Sequence, residues 1–263
     1  MIRTFATLAL VTAALPLSAQ RRADFTWANP VSAGSTVSVR NISGDIKIVP
    51  SSSGRVEVQG FKHGSGRGLD RIRATVDQTS RGITICVLYD DASSCDDNNH
   101  SNNRRRSWND DDGNASIDFE VSVPTNLVVD AGSVSGDVSV NGAHGDVKAS
   151  TVSGDVFLEH LHANSVNANS VSGDVEVRVD ELLGRGDFTF HSVSGDVTLE
   201  VPRDFGADLS MTTVSGDIDS DFPITVGGNG RMNRRSVNAR IGAGGRRLDV
   251  STVSGDLKLK SVR

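Results

Sequence analysis

The 263-residue chain carries 27 glycines and only 5% aromatic residues, and its 37% hydrophobic content is mostly Val, Ile, Leu and Ala. That composition favours many short strands and tight turns over helices. The formal net charge of −6 excludes a nucleic-acid-binding role for the chain as a whole.

Arg3 precedes an apolar run from Phe5 to Leu15, and Pro16-Leu17-Ser18-Ala19 follows. A positive start, a short apolar core and a small residue at a cut site predict a secretory signal peptide over residues 1–19, leaving Gln20 at the new terminus. The run is too short to span a bilayer as a helix. No Cys sits at the cut to carry a lipid anchor, and no later stretch is long enough for a transmembrane segment. The expected location is the periplasm, the cell surface or the extracellular space.

Residues 24–124 form an expected N-terminal β region. Val56-Glu57-Val58, Ile72 to Val76, Ile83 to Val87 and Ile117 to Val123 alternate apolar and polar residues, the period of a strand with one buried face. Cys86 and Cys95 fall in the exported portion, where a disulfide is favoured. Closing so short a loop would contribute about 2–3 kcal/mol. Residues 91–114 break the pattern with Asp96-Asp97-Asn98-Asn99-His100, Arg104-Arg105-Arg106 and Asp110-Asp111-Asp112-Gly113, and read as a charged flexible surface insertion. The last run superficially resembles a calcium loop but has Val121 where the closing acid belongs, so no metal site is expected.

An internal repeat dominates the rest of the chain. Ser-Gly-Asp begins at Ser43, Ser135, Ser153, Ser172, Ser194, Ser215 and Ser254. An aliphatic residue precedes each copy (Ile42, Val134, Val152, Val171, Val193, Val214, Val253), and another follows it (Ile46, Val138, Val156, Val175, Val197, Ile218, Leu257). Gly145-Asp146-Val147 is a shortened relative, and Ser236 to Ile241 a degenerate one. Apolar pairs such as Val129/Ala131, Val166/Ala168 and Phe188/Phe190 stand five and three positions before the motif valine.

This is a period of two with one phase slip, which the pattern places just before the motif valine. On that reading the valines and glycine face inward, while the Ser or Thr before each valine and the motif Ser and Asp face outward. A unit of roughly 20 residues cannot bury its own apolar face, whereas stacked units can. The predicted fold is all-β: a single-domain β-solenoid of stacked two-strand coils. Residues 125–263 would be its repeat region, and residues 24–124 the start of the same solenoid and its cap. An antiparallel β-sandwich is the alternative, but it would not require identical residues at fixed places in each copy.

The outward columns are the candidate ligand-binding ladder: Ser135, Asp137, Ser153, Asp155, Ser172, Asp174, Ser194, Asp196, Ser215, Asp217, Ser254 and Asp256. Stacked aspartates repel unless screened, bridged by cations or hydrogen-bonded. The glycine-rich segment 227–247 holds six arginines, either an anion-binding patch or solvated turns. His160, His162 and His191 lie in or near turns and could meet across coils. Gly132-Ser133-Val134-Ser135-Gly136 does not have the spacing of a nucleophile elbow. No phosphate loop or Cys-x-x-Cys is present, so no catalytic residues and no cofactor are expected.

The Thr/Ser-Val-Ser-Gly-Asp-Val copies, the Val123-Pro124 lead-in before Val128-Val129 and the entry from Val37 to Ile48 resemble the bacterial family described as putative adhesins. The resemblance covers about Val37 to Leu259 and implies an exported domain of unknown function with repeated strands; the 91–114 insertion departs from it. It supplies no catalytic residues. The expected function is a non-enzymatic cell-envelope scaffold for adhesion or protein and glycan interaction, with a surface glycan or envelope protein as partner and self-association through the solenoid ends. A β-helix carbohydrate-active enzyme and a cation-binding polar ladder are the alternatives.

Overall fold

In the computed structural model, residues 22–66, 68–89, 94–95, 115–125, 127–226 and 231–262 are described. The signal segment, the calcium-like run and nearly all of the charged insertion lie outside them.

Strands β1 (Phe25–Asn29), β2 (Thr36–Arg40), β3 (Ile46–Pro50) and β4 (Val56–His63) open the fold. A helical turn α1 (Gly68–Arg71) leads into the hairpin β5 (Ile72–Thr79) and β6 (Gly82–Tyr89), followed by β7 (Ser116–Val123). The repeat region supplies β8 (Val128–Gly132), β9 (Val138–Asn141), β10 (His144–Ser153), β11 (Val156–Ser172), β12 (Val175–Leu182), β13 (Phe188–His191) and β14 (Val197–Val201). It continues through β15 (Ala207–Ser215), β16 (Ile218–Ser220), β17 (Ile224–Thr225), β18 (Arg231–Asn233), β19 (Ser236–Ile241), β20 (Arg247–Ser254) and β21 (Leu257–Ser261).

These strands build a β-solenoid from two parallel ladders that share one core. In the first ladder, Ile83, Val37, Val129, Val147, Val166, Phe188, Leu248 and Leu209 stack in register. In the second, the stack is Phe119, Ile46, Val138, Val156, Val175, Val197, Leu257 and Ile218. These two columns, both read from the sequence, form the core: nearly every member is buried in one continuous cluster. Burying each side chain contributes about 1.5–3 kcal/mol.

Three features go beyond the sequence reading. The middle coils carry a third short face, where Leu161 lies against Val179 and His144 against His162. The coils also do not stack in chain order. The coil of Ser254 is inserted between those of Ser194 and Ser215, so β20 pairs with both β13 and β15, and β21 with both β14 and β16. Finally, the degenerate copy at Ser236–Ile241 is not a coil. It is the antiparallel strand β19, which covers the outer edge of β15 and also pairs with β17 and β18. At the opposite end β5 covers β6, while β4 and then β1 cover β7, all antiparallel. The disulfide Cys86–Cys95 is present, with Cα atoms 5.8 Å apart.

The inward–outward assignment at the motif needs correction. Ile42, Val134, Val152, Val171, Val193, Val253 and Val214 are exposed, from 40% at Ile42 to 60% at Val214. The residue before each valine is the buried one: Ser133, Thr151, Ser170, Ser192, Thr252 and Thr213, with Asn41 in the first copy. Alternation in the first strand runs unbroken through that hydroxyl, and the slip comes afterwards, at Ser-Gly-Asp. A buried hydroxyl is tolerated because it has a partner: Thr151 Oγ1 donates to the Gly136 carbonyl at 2.9 Å, Ser170 to Gly154, Ser192 to Gly173, Thr252 to Gly195 and Thr213 to Gly255.

Candidate functional site

The Ser-Gly-Asp corner stacks into four columns running the length of the solenoid. The innermost is the buried hydroxyl column. Next comes the glycine column, where neighbouring backbones meet. A Cβ on Gly154, whose φ is +147°, would lie 2.4 Å from the Gly136 carbonyl oxygen, and the same contact recurs from copy to copy. Only glycine combines that conformation with that approach.

The third column is the aspartate ladder. Asp118 Oδ1 accepts the backbone N–H of Asp45, and Asp45 Oδ1 accepts that of Asp137. The chain of bonds continues through Asp155, Asp174, Asp196 and Asp256 to Asp217, every step 2.8–2.9 Å. Each carboxylate thus holds the next coil by a charge-assisted hydrogen bond, which offsets the like-charge repulsion of the stack. At one coil a lysine adds to this: Lys258 Nζ lies 3.0 Å from Asp196 Oδ2. The Asp256 N–H, and after it Lys258, draw the Asp196 carboxyl below the usual carboxylate range. Asp118 and Asp45 stand outside the predicted set; Asp118 lacks the preceding Ser-Gly, and its signal in the sequence is only the following Phe119. The shortened relative Gly145-Asp146 works the same way at another corner, where Asp146 Oδ1 accepts from Asn164 Nδ2 and the Ser165 N–H.

The fourth, outermost band pairs the exposed aliphatic column with a column of serines. Ser135, Ser153, Ser172, Ser194, Ser254 and Ser215 are exposed, and neighbouring serines bridge through their backbones. Among the described residues their hydroxyls make no hydrogen bond to the protein. Adjacent strands stand about 4.8 Å apart, so seven stacked aliphatic residues form a stripe roughly 29 Å long. The predicted set is therefore split: the aspartates mainly hold the coils together, while the serines border an apolar stripe assigned inward from the sequence.

The other candidates disperse. His162 stacks on His144, ring centroids 4.2 Å apart, with Nδ1 2.8 Å from Glu181. His160 pairs with Asp180 at 2.8 Å, and His191 with Ser251 at 2.6 Å. No group of three or more metal-ligating side chains forms among the described residues. Three of the six arginines in the glycine-rich segment are engaged: Arg240 pairs with Asp208, Arg247 with Asp249, and Arg246 is buried. Arg246 donates to the carbonyls of Asn164, Gly186 and Gly184, and its guanidinium lies 4.2 Å over the Phe188 ring. No helix among the described residues is long and apolar enough to cross a membrane.

Two solved structures are similar to this chain. A putative cell adhesion protein from Clostridium sporogenes superposes with a TM-score of 0.51 at 10% identity, over 90% of this chain and 99% of that one. A putative adhesin from Bacteroides fragilis covers 90% of this chain and 96% of its own at 12% identity, with a TM-score of 0.34. No curated protein sequence matches the chain. At such identity the first of these structures speaks for the fold alone, but residues 35–260 match the model of one family. That span contains all seven Ser-Gly-Asp corners, and the chain belongs to the Toastrack family DUF4097.

Proposed function

We propose that this protein is a non-enzymatic, exported scaffold of the cell envelope that presents its valine–serine band to a surface glycan or envelope protein, as an adhesin does. The observation that carries this reading is the continuous exposed stripe from Ile42 to Val214. Apolar side chains scattered singly on a surface need no explanation, but a contiguous apolar band rimmed by polar groups marks an interaction surface. Here the rim is the free serine hydroxyls on a rigid backbone, so a partner meets regularly spaced apolar and hydrogen-bonding groups at little ordering cost. The signal-like N-terminus and the disulfide support export. The Clostridium relative is called a putative cell adhesion protein, which agrees with an adhesive role.

The test is a glycan, surface-polymer and envelope-protein binding array, run with residues 20–263 and with the triple variant Val152→Lys, Val171→Lys, Val193→Lys. Binding that falls at least tenfold in the variant, with an unchanged circular dichroism spectrum, is the expected result. Equal binding by both proteins, or no binding by either, overturns the reading.

A further inference from the structure

The last coil of the stack ends in an unfilled register. At every inner junction the neighbouring copies exchange one set of hydrogen bonds. Between the Ser135 and Ser153 copies, the Gly136 N–H donates to the Ser153 carbonyl and the Val138 N–H to the Asp155 carbonyl. In return, the Ser153 N–H donates to the Val134 carbonyl, the Asp155 N–H to Asp137 Oδ1, and the Thr151 hydroxyl to the Gly136 carbonyl. The Ser215 copy is the terminal member, and its inner side is bonded in this way to the Ser254 copy.

Its outer side offers the same groups again: the Gly216 and Ile218 N–H donors, the Val214 and Gly216 carbonyls and Asp217 Oδ1. None of them meets a partner among the described residues. The β19 hairpin covers β15 only as far as Thr213, whose N–H donates to the Arg235 carbonyl. Farther on, the Ser220 N–H is taken by Asp219 of its own strand. The open stretch is thus confined to Val214–Ile218, flanked by Arg235 on one side and Asp219 on the other. An open strand edge is a template for pairing.

We propose that this edge accepts, in parallel register, a Val-Ser-Gly-Asp-aliphatic segment from a second copy of the chain. The commitment to that occupant comes from continuity with the inner junctions. The free groups are those that the repeat itself satisfies at each earlier step, and the incoming residue opposite Gly216 must be glycine, since a Cβ there meets a carbonyl at about 2 Å at the inner junctions. Within the second copy, the donor is β21 with its preceding corner. The β20–β21 coil is joined to β19 through Gly242, Gly244 and Gly245, all at positive φ, and the two coils that flank it carry the same columns. The inference does not depend on the valine–serine band, which lies on the side of the coils and not at their end.

The probe is a fluorescent peptide of residues 252–261, Thr-Val-Ser-Gly-Asp-Leu-Lys-Leu-Lys-Ser, titrated into the full chain from residue 20. Saturable binding is expected, weakened at least tenfold by Gly255→Ala in the peptide. The chain variant Ile218→Pro should weaken it equally: it removes an outward N–H while sparing the bonds to β21. Light scattering of the unlabelled chain should show a dimer that this variant abolishes. Three results overturn the proposal: no saturable binding, equal binding of the alanine peptide, or a chain that stays monomeric far above the peptide's dissociation constant. Loss of peptide binding with retained array binding would leave the valine–serine reading intact.

Discussion

Asp155 Oδ1 accepts the backbone N–H of Asp174 at 2.8 Å, across the junction between two coils 19 positions apart in sequence. Both residues carry formal negative charge, yet the contact between them is attractive, because the second aspartate takes part through its main chain. The row of aspartates is therefore a seam in which side-chain acceptors supplement the parallel ladder.

That seam predicts a difference between two substitutions in the middle of the stack. Asp155→Asn keeps an oxygen in place and should cost under about 1 kcal/mol. Asp155→Ala leaves the Asp174 N–H without its acceptor and should cost about 1–3 kcal/mol. Urea denaturation of both variants decides it; equal losses would mean that the carboxylate does not hold the coils together.

Gly154 carries the tightest constraint in the motif. With φ at +147° and the Gly136 carbonyl oxygen 2.4 Å from where a Cβ would sit, Gly154→Ala must both strain its own backbone and push two coils apart. A loss above about 2 kcal/mol is expected. Gly34 also has a positive φ but has open space around it, so Gly34→Ala should cost less, and thermal melts of the two variants separate close approach from conformation alone.

How much of this was legible beforehand turns on Thr151 and Val152. Strand positions, core columns and ladder register follow from alternation, because side chains in a strand must choose a face. At the corner, hydrophobicity assigns Val152 inward and Thr151 outward, and the structure reverses both. A hydroxyl goes inside when a carbonyl of another coil awaits it, and that carbonyl, on Gly136, is a contact the linear sequence does not display. The insertion of β20–β21 out of chain order was hidden for the opposite reason. The copies are so alike that each fits beside any other, and the repeat carries no label of its place. Thr151→Val should accordingly cost about 1–3 kcal/mol by leaving the Gly136 carbonyl unpaired, while Val152→Ser should stay within about 1 kcal/mol. The order of the two losses in chemical denaturation checks the assignment.

Arg246 anchors the inserted coil. Burial draws its pKa below the ordinary arginine value, and its guanidinium answers three carbonyls contributed by Asn164, Gly184 and Gly186 while stacking on Phe188. A fork of donors in a plane suits that arrangement, and an ammonium does not. Arg246→Lys and Arg246→Ala should therefore both destabilise the fold, by roughly 1–3 kcal/mol, since three carbonyls lose a charged donor. Hydrogen exchange should show faster exchange in β20 before β8 is affected. Uniform loss of protection along the whole stack would count against a local anchor.

The last expectation concerns acid. The folded-state pKa of Asp196 is lowered by the Asp256 N–H and by Lys258, so its contribution is present above the ordinary carboxylate range and is lost as pH falls through the lowered value. Lys258 is the partner whose pKa rises correspondingly, chiefly through its hydrogen bond to Asp196. That part of the stability is present below the ordinary lysine pKa and disappears only as pH climbs through the raised value. Between those limits the pair is intact, and Lys258→Met should lower the melting temperature. Toward strong acid Asp196 is protonated in either protein, and the two melting curves should converge. A gap that persists unchanged at the acid end would show that the lysine acts through its aliphatic stem rather than its charge.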